Sequence, residues 1–466
     1  MSAPLDVRPP RATRRLLVAA LGLIGAVAVV VGLVGAPLYG DGGWYFVRIV
    51  LTGEPLIPNL RVSAALAQVP VLLTWRFSDD VLVLRHAFSL GYALLPWASL
   101  AIAWWLVRRR APWLWAYPVL GLLALQLNFS GVSELMVTLH LIWPFVLAAL
   151  LYPERIATLA YGLVLGAVLV FLHPLSFTAA ALLALLAVTI ARRGAGLDAR
   201  RWYWIAGWFA AAALARLAWT ITGLTTYERG RLAPEAAAGY LLPATDLQLG
   251  FLIGIGLLGL GWTLLVFAPR QPWRGRLTAF LAPVAWLLPL AALGIGAGFL
   301  LGEGIRLKVG LSFVLGLGLT VLAALAVLAV EQRSTPLSPA VGGRMLRQLI
   351  AAATAAILLL AAARSVAWWT ATHGLVNLTA SSPETCIPFG PEEPYAMQWP
   401  WMAIIDDWAA PFNALVFRGD PGLRPIALLL KHDACAQLAE TGIVHFPGWV
   451  SLPLPALEAR FGPLRR

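Results

Sequence analysis

Tyr39-Gly40-Asp41-Gly42-Gly43-Trp44-Tyr45-Phe46 sets one carboxylate among glycines and aromatic rings. It lies between a first hydrophobic run ending near Gly35 and a long apolar stretch beginning near Leu84. Proton transfer is the chemistry a well-placed carboxylate offers, so this is the first place to look for a reacting group. A second acid, Glu134, follows Ser130-Gly131-Val132-Ser133 at the start of another apolar run. Arg216 falls near the end of a hydrophobic stretch, where a guanidinium costs about 3 kcal/mol unless it is paired or lines a wet cavity. Arg306 and Lys308 share the short loop Gly302-Glu303-Gly304-Ile305-Arg306-Leu307-Lys308, and His173 precedes Pro174 between two apolar runs. Each also has a bland reading: helix-start capping for both acids, snorkelling for Arg306 and Lys308, and a structural kink for His173-Pro174.

These groups must be positioned by a chain that is 60% hydrophobic and 12% charged, against about 25% charged in an ordinary soluble domain. Mean hydropathy is +0.80. Apolar runs able to cross a hydrocarbon core of about 30 Å recur down most of the sequence. Eleven transmembrane helices are expected, approximately at 16–35, 84–106, 113–128, 133–152, 157–173, 175–191, 202–223, 247–268, 277–301, 309–330 and 348–369. A spanning segment must satisfy its own backbone hydrogen bonds, and the alternation of barrel strands is missing. The fold class is therefore all-α and polytopic. Residues 42–53 and 61–77 are too interrupted to cross and read as interfacial helices, separated by a turn at Glu54-Pro55-Leu56-Ile57-Pro58-Asn59. Asp79 and Asp80 read as caps on the second span.

Arginine placement gives the expected orientation. Arg8, Arg11, Arg14 and Arg15, then Arg108 to Arg110, Arg192, Arg193, Arg200 and Arg201, Arg270, Arg274 and Arg276, and Arg333, Arg344 and Arg347 all fall on one side of eleven spans. The positive-inside rule makes that side cytoplasmic and puts Asp41 and the C-terminal segment on the opposite face. The net charge of +12 is then topological and requires no nucleic acid, with membrane lipid headgroups as a secondary partner. A cleavable signal peptide over 1–40 is the alternative for the first span, but the run exceeds an h-region of about 7 to 15 residues. Lysine occurs only at 308 and 431 while arginine and alanine abound. That is the codon signature of a GC-rich genome and suggests a bacterial inner membrane with a periplasmic outer face.

Residues 1–369 form the expected transmembrane domain. Residues 370–466 are Pro-rich and mixed, with strand-like Ile426–Leu430 and Gly442–Phe446, and read as a small α/β periplasmic domain. Cys386 and Cys435 both fall there; in an oxidising compartment they read as one disulfide, free buried thiols being the alternative. Walker, dinucleotide, HExxH and paired CxxC signatures are missing. His86 and His140 have no metal spacing, so no zinc site is expected. The glycine runs at 254–256 and 294–298 lie inside spans and read as helix packing. Most of the 21 Trp suit interface belts; Trp44, Trp368, Trp369, Trp399 and Trp401 are outer-face candidates for stacking on a sugar.

A first span, an outer loop with an acid a few residues in, two interfacial helices, and a second span that begins with an Arg and leaves into an arginine run together resemble the GT-C class of membrane glycosyltransferases. The matching pieces are Asp41, the stretch 42–77, Val83-Leu84-Arg85-His86-Ala87-Phe88-Ser89-Leu90, Arg108-Arg109-Arg110 and Ser130-Gly131-Val132-Ser133-Glu134. They cover about the first 190 residues. The family's usual first-loop signature pairs two acids, whereas Gly42 follows Asp41 here, which leaves a divalent cation an open question.

The resemblance implies transfer of a sugar from a polyprenyl-phosphate donor to a glycan, lipid or protein acceptor at the outer leaflet, with inversion. It implies Asp41 as base, Glu134 as a second catalytic acid, and Arg48, Trp44, Arg216, Arg306, Lys308 and His173 as substrate contacts, with no certain cofactor. Two other classes fit the composition: a lipid or polysaccharide transporter or flippase, which would show a hydropathy repeat, and a non-catalytic partner in an envelope polysaccharide complex.

Overall fold

The computed structural model describes residues 10–57, 61–129, 132–194, 196–223, 229–230, 245–267, 271–305, 307, 309–331, 343–389, 400–405, 408–418, 425–446 and 451–465. Ala116–Leu125 (α5) and Glu134–Leu151 (α6) carry apolar residues on every side, and such a helix belongs inside a bundle. Every residue of α5 is buried, as is every residue of α6 except Leu141. Around this centre pack α1 (Arg11–Val34), α4 (Val81–Val107), α7 (Ile156–Val170), α8 (Ser176–Ala191), α9 (Gly196–Thr222), α10 (Asp246–Phe267), α11 (Arg274–Leu300), α12 (Val309–Glu331) and α13 (Arg344–Ser381). Outward they present Trp204, Leu214 and Ile221 on α9 and Leu287, Leu290 and Leu293 on α11. Lipid tails are as apolar as these side chains, so this surface suits a bilayer.

The chain is an all-α, multi-pass membrane protein. Among the described residues eight helices are long and apolar enough to cross: α1, α4, α6 and α9 to α13. Shorter apolar helices, Pro112–Leu125, α7 and α8, occupy the three other expected positions. Close approach of α11 to its neighbours uses glycine: a Cβ on Gly296 would stand 2.8 Å from that of Ala363 on α13, and one on Gly261 of α10 would stand 2.5 Å from Leu281.

Hydrogen bonds between helix ends fix which ends lie together. At one end Arg347 donates to Thr13 Oγ1 (3.2 Å), Arg110 to the Leu151 carbonyl, and Trp202 Nε1 to the Pro153 carbonyl (2.9 Å), while Arg193 pairs with Glu331 (2.7 Å). This is the basic end of the bundle. At the other, Trp368 Nε1 donates to the Gly35 carbonyl (2.9 Å) and Gln248 to that of Gly304 (2.8 Å). Two short helices cross that second end, α2 (Asp41–Thr52) and α3 (Val69–Trp75), the latter preceded by a 3-10 turn at Val62–Gln68. Asp80 Oδ1 accepts from the Leu82 and Val83 amides and caps α4, while Asp79 pairs with Arg460 at 2.6 Å.

Helix α13 runs through residue 370, where the composition changes, and ends only at Ser381. Beyond it β1 (Cys386–Pro388) lies parallel to β2 (Leu428–Leu430), and β3 (Ile443–His445) antiparallel to β4 (Ser451–Pro453). Helices α14 (Ala410–Phe417), α15 (His432–Thr441) and α16 (Leu454–Phe461) complete the segment. Cys386 and Cys435 are joined, with sulfurs 2.01 Å apart. The segment shares one hydrophobic core with the bundle through Phe412, Leu415 and Leu428.

The disulfide closes a loop spanning 49 positions, which restricts the unfolded chain by about 4 kcal/mol at most. Replacing both cysteines with serine is expected to lower the thermal midpoint of purified protein by several degrees. A midpoint equal to wild type under oxidising conditions would show that the cross-link contributes nothing.

Candidate functional site

Gly35 ends α1 in the left-handed region (φ 77°), the 3-10 turn Ala36–Leu38 follows, and Gly40 (φ 57°) turns the chain into α2. Asp41 therefore opens a helix, where free backbone amides favour a negative charge; the residue is exposed. A Cβ on Gly42 would sit 1.8 Å from the Pro37 carbonyl oxygen, and one on Gly43 would sit 2.7 Å from Asn413 Oδ1. Position 42 has no room for any side chain. A second acid directly after Asp41 is sterically closed here, and another acid at this end comes from a separate segment.

That segment is the start of α6. Tyr45 donates its hydroxyl to Glu134 Oε1 (3.1 Å), and Arg61 reaches Glu134 Oε2 (3.4 Å). The Arg61 and Glu134 side chains are only 13% and 11% exposed, so the pair is shielded more than a surface bridge. Burial, and after it the charges of Glu134 and Asp41, push the Tyr45 hydroxyl well above its usual value. Tyr45 thus stays a proton donor to Glu134. Both acids act on Tyr92 as well, and the Gly42 position abuts Val132, two residues before Glu134.

A basic group adjoins this acidic one. Arg216 is 3% exposed, donates to the Val170 carbonyl (3.3 Å) and lies over the Trp219 ring. His173 stands by the same helix end and accepts the Leu175 amide on Nδ1 (3.1 Å). Burial and the charges of Arg61 and Arg216 hold its imidazole well below its usual range, so it is neutral at pH 7. Ser63, two residues from Arg61, bonds to the Phe171 and Val168 carbonyls and ties the loop to α7.

The structure gives the other candidates different places. Trp44 is half-buried against Tyr45 and Trp408, and Arg48 is half-buried one to two turns further along α2. Trp368 is fully buried and bonded to Gly35; it is packing, not a sugar platform. Trp369 is exposed beside His373. Arg306, Lys308, Ser130, Gly131, Trp399 and the Trp401 side chain lie outside the described residues. Among the described residues no three of His, Cys, Asp and Glu gather where they could hold a metal ion. Tyr45 and Arg61, whose sequence setting suggested only interfacial packing, and Tyr92, within the second span, belong to the cluster; nothing in their local pattern distinguishes them.

No protein-family model, curated protein or solved structure matches the chain. Fold and site together define a polytopic helical membrane protein with an acid-base cluster at one end of its bundle.

Breaking the Arg61–Glu134 pair from one side leaves a shielded carboxylate without its cation. Arg61→Gln is expected to destabilise by about 1–3 kcal/mol, and adding Glu134→Gln should recover part of that loss; additive losses in the double-mutant cycle would show that the two do not interact. His173, held neutral in the fold, resists taking up a proton as pH falls below its ordinary value of 6.5. The unfolded chain binds that proton first, so stability should decline from pH 6.5 downward. His173→Asn, which keeps an acceptor for the Leu175 amide, should flatten that decline in a melting-temperature series; an unchanged slope would assign it to other groups.

Proposed function

We propose that the chain is a membrane glycosyltransferase of GT-C type that transfers a sugar from a polyprenyl-phosphate donor to an envelope glycan, lipid or protein. In this reading eleven helices cross a bacterial inner membrane, the basic end is cytoplasmic, and the acidic cluster and disulfide-linked segment are periplasmic. The observation that carries it is convergence. Asp41, Arg61, Glu134, His173 and Arg216 come from five separate parts of the sequence and meet at the end of the bundle opposite the basic one. A flippase would need its polar groups spread along a path to both ends, and the cluster that these five residues form lies at one.

Asp41 is the base. It is exposed in the first turn of α2, where an acceptor can approach, whereas Glu134 is buried. The acceptor hydroxyl gives its proton to the Asp41 carboxylate while its oxygen bonds to the anomeric carbon. The bond from that carbon to phosphate oxygen breaks, and its electron pair leaves with the lipid phosphate. Attack opposite the leaving group inverts the centre. Glu134 is a positioning residue that holds Arg61 and Tyr45 beside this reaction, and the cations Arg61 and Arg216 offset the phosphate charge that develops.

Transfer is tested with purified protein in lipid and pooled polyprenyl-phosphate sugars. Asp41→Asn should cut turnover by about a hundredfold or more without changing the melting temperature, while Glu134→Gln should lower both turnover and stability. Turnover undiminished in Asp41→Asn would place the base elsewhere, and no transfer by wild type with any acceptor class would favour the transport or scaffold readings.

A further inference from the structure

A narrow cleft of about 50 Å³ lies between α1, α4, α5, α6 and α13. Enclosing one water takes about 10–15 Å³, so there is room for about three or four. Most of the wall is apolar, with Ile24, Phe129, Met136 and Ile357 among the lining side chains. A cavity lined only by such groups stays dry and asks for no occupant. Two residues make this one different: Arg364 of α13, and Gln126 directly after α5.

Arg364 is 6% exposed and belongs to one of the eight helices long and apolar enough to cross a membrane. Its Nη1 donates to the Asn128 carbonyl (3.0 Å) and its Nη2 to Gln126 Oε1 (3.2 Å), while its Nε, buried as well, has no hydrogen-bond partner. Both partners are neutral, and among the described residues no carboxylate pairs with Arg364 or acts on it electrostatically. Neutral oxygens satisfy donors but leave the charge, and a shielded cation needs a counter-charge as well. Gln126 gives its oxygen to the guanidinium, so what it has left to offer is its amide N–H, which is also a donor. The polar part of the wall therefore presents positive charge and hydrogen-bond donors to a space closed to anything large.

We infer that this cleft is a site for one monovalent anion of halide size, chloride being the common one, which supplies the charge that Arg364 lacks. The ion accepts hydrogen bonds from the Arg364 Nε and the Gln126 amide and rests against the apolar wall. Size and lining both select it: a halide is little larger than water, and a single charge costs less to dehydrate than the double charge of sulfate. Water alone would bond to the Nε but leave the guanidinium without a counter-charge. Glu134 acts on Tyr92, another wall of the cleft, but its own charge is met by Arg61. The inference is independent of the transferase reading.

The test reads binding through the thermal midpoint of the purified protein in sodium chloride, bromide, gluconate and sulfate at matched ionic strength. A ligand of the folded state raises the midpoint as its concentration rises. Chloride and bromide should raise it by about 1–3 °C for each tenfold increase above the dissociation constant, and gluconate, too large for the cleft, should not. Arg364→Gln should abolish the difference between chloride and gluconate. Ala93→Leu, which fills the cleft from its α4 wall and keeps Arg364, should abolish it too and covers the case in which Arg364→Gln does not fold. Equal midpoints in chloride and gluconate for the wild type overturn the inference and leave the cleft to water. So does a chloride effect that survives both substitutions, or a rise that is largest in sulfate, which reports exclusion of salt from the protein surface rather than a bound ion.

Discussion

A carboxylate shut into the end of an apolar bundle must be neutralised and hydrogen-bonded where it stands, and Glu134 imposes that requirement on everything around it. Its side chain opens α6, the helix at the centre of the bundle, so its position is set by the core. Its two oxygens are met from different directions, by Tyr45 of α2 and by Arg61 of the loop before α3. Both elements are too short to be stable alone. Glu134 therefore anchors the segments that cross this end to the helices below, and Asp41 inherits its place from that anchorage.

The C-terminal segment secures the same region from above. Trp44 of α2 meets Trp408, Trp408 meets Phe412, and Phe412 stacks on Phe446. Asn413 fills the space left by the missing side chain of Gly43, and Phe417 packs over Gly35 and against Trp368. Arg85 of α4 lies over the Phe417 ring and donates to the Val416 carbonyl. The first turn of α2 is thus held between the bundle and α14. The two glycines after Asp41 serve this sandwich, since either would drive a side chain into a carbonyl or into Asn413. No side chain, acidic or otherwise, fits directly after Asp41.

Bundle character, the short crossing helices at 42–53 and 61–77, and the cap at Asp80 were legible because each is local: a run of apolar residues, an interruption, an acid before a helix. The strands in Ile426–Leu430 and Gly442–Phe446 were legible for the same reason. Partners were not. Glu134 and Arg61 are 73 positions apart, and no pattern in either neighbourhood names the other. Arg364 meets the same rule as Arg216, a cation within an apolar run, and its guanidinium is buried against the Asn128 carbonyl and the Gln126 side chain. The identity of Trp368 as core rather than surface also depends on tertiary packing, since its neighbour Trp369 has the same local setting and is exposed.

The short helices explain why the cations collect where they do. Helix α7 has 15 residues and α8 has 16, about 23 Å of rise, roughly 7 Å less than a typical hydrocarbon core. Both have arginines at the basic end, Arg155 before α7 and Arg192 and Arg193 after α8, so the shortfall comes at the other end. There α7 stops at Val170 and its last carbonyls lack helical partners. Arg216 takes the Val170 carbonyl, and Ser63 takes those of Val168 and Phe171. A cation that would be costly inside a full-length span is instead satisfied at a step in the bundle, beside the loop that carries Arg61. The carbonyls that the missing turn of helix leaves open hold the basic side of the site.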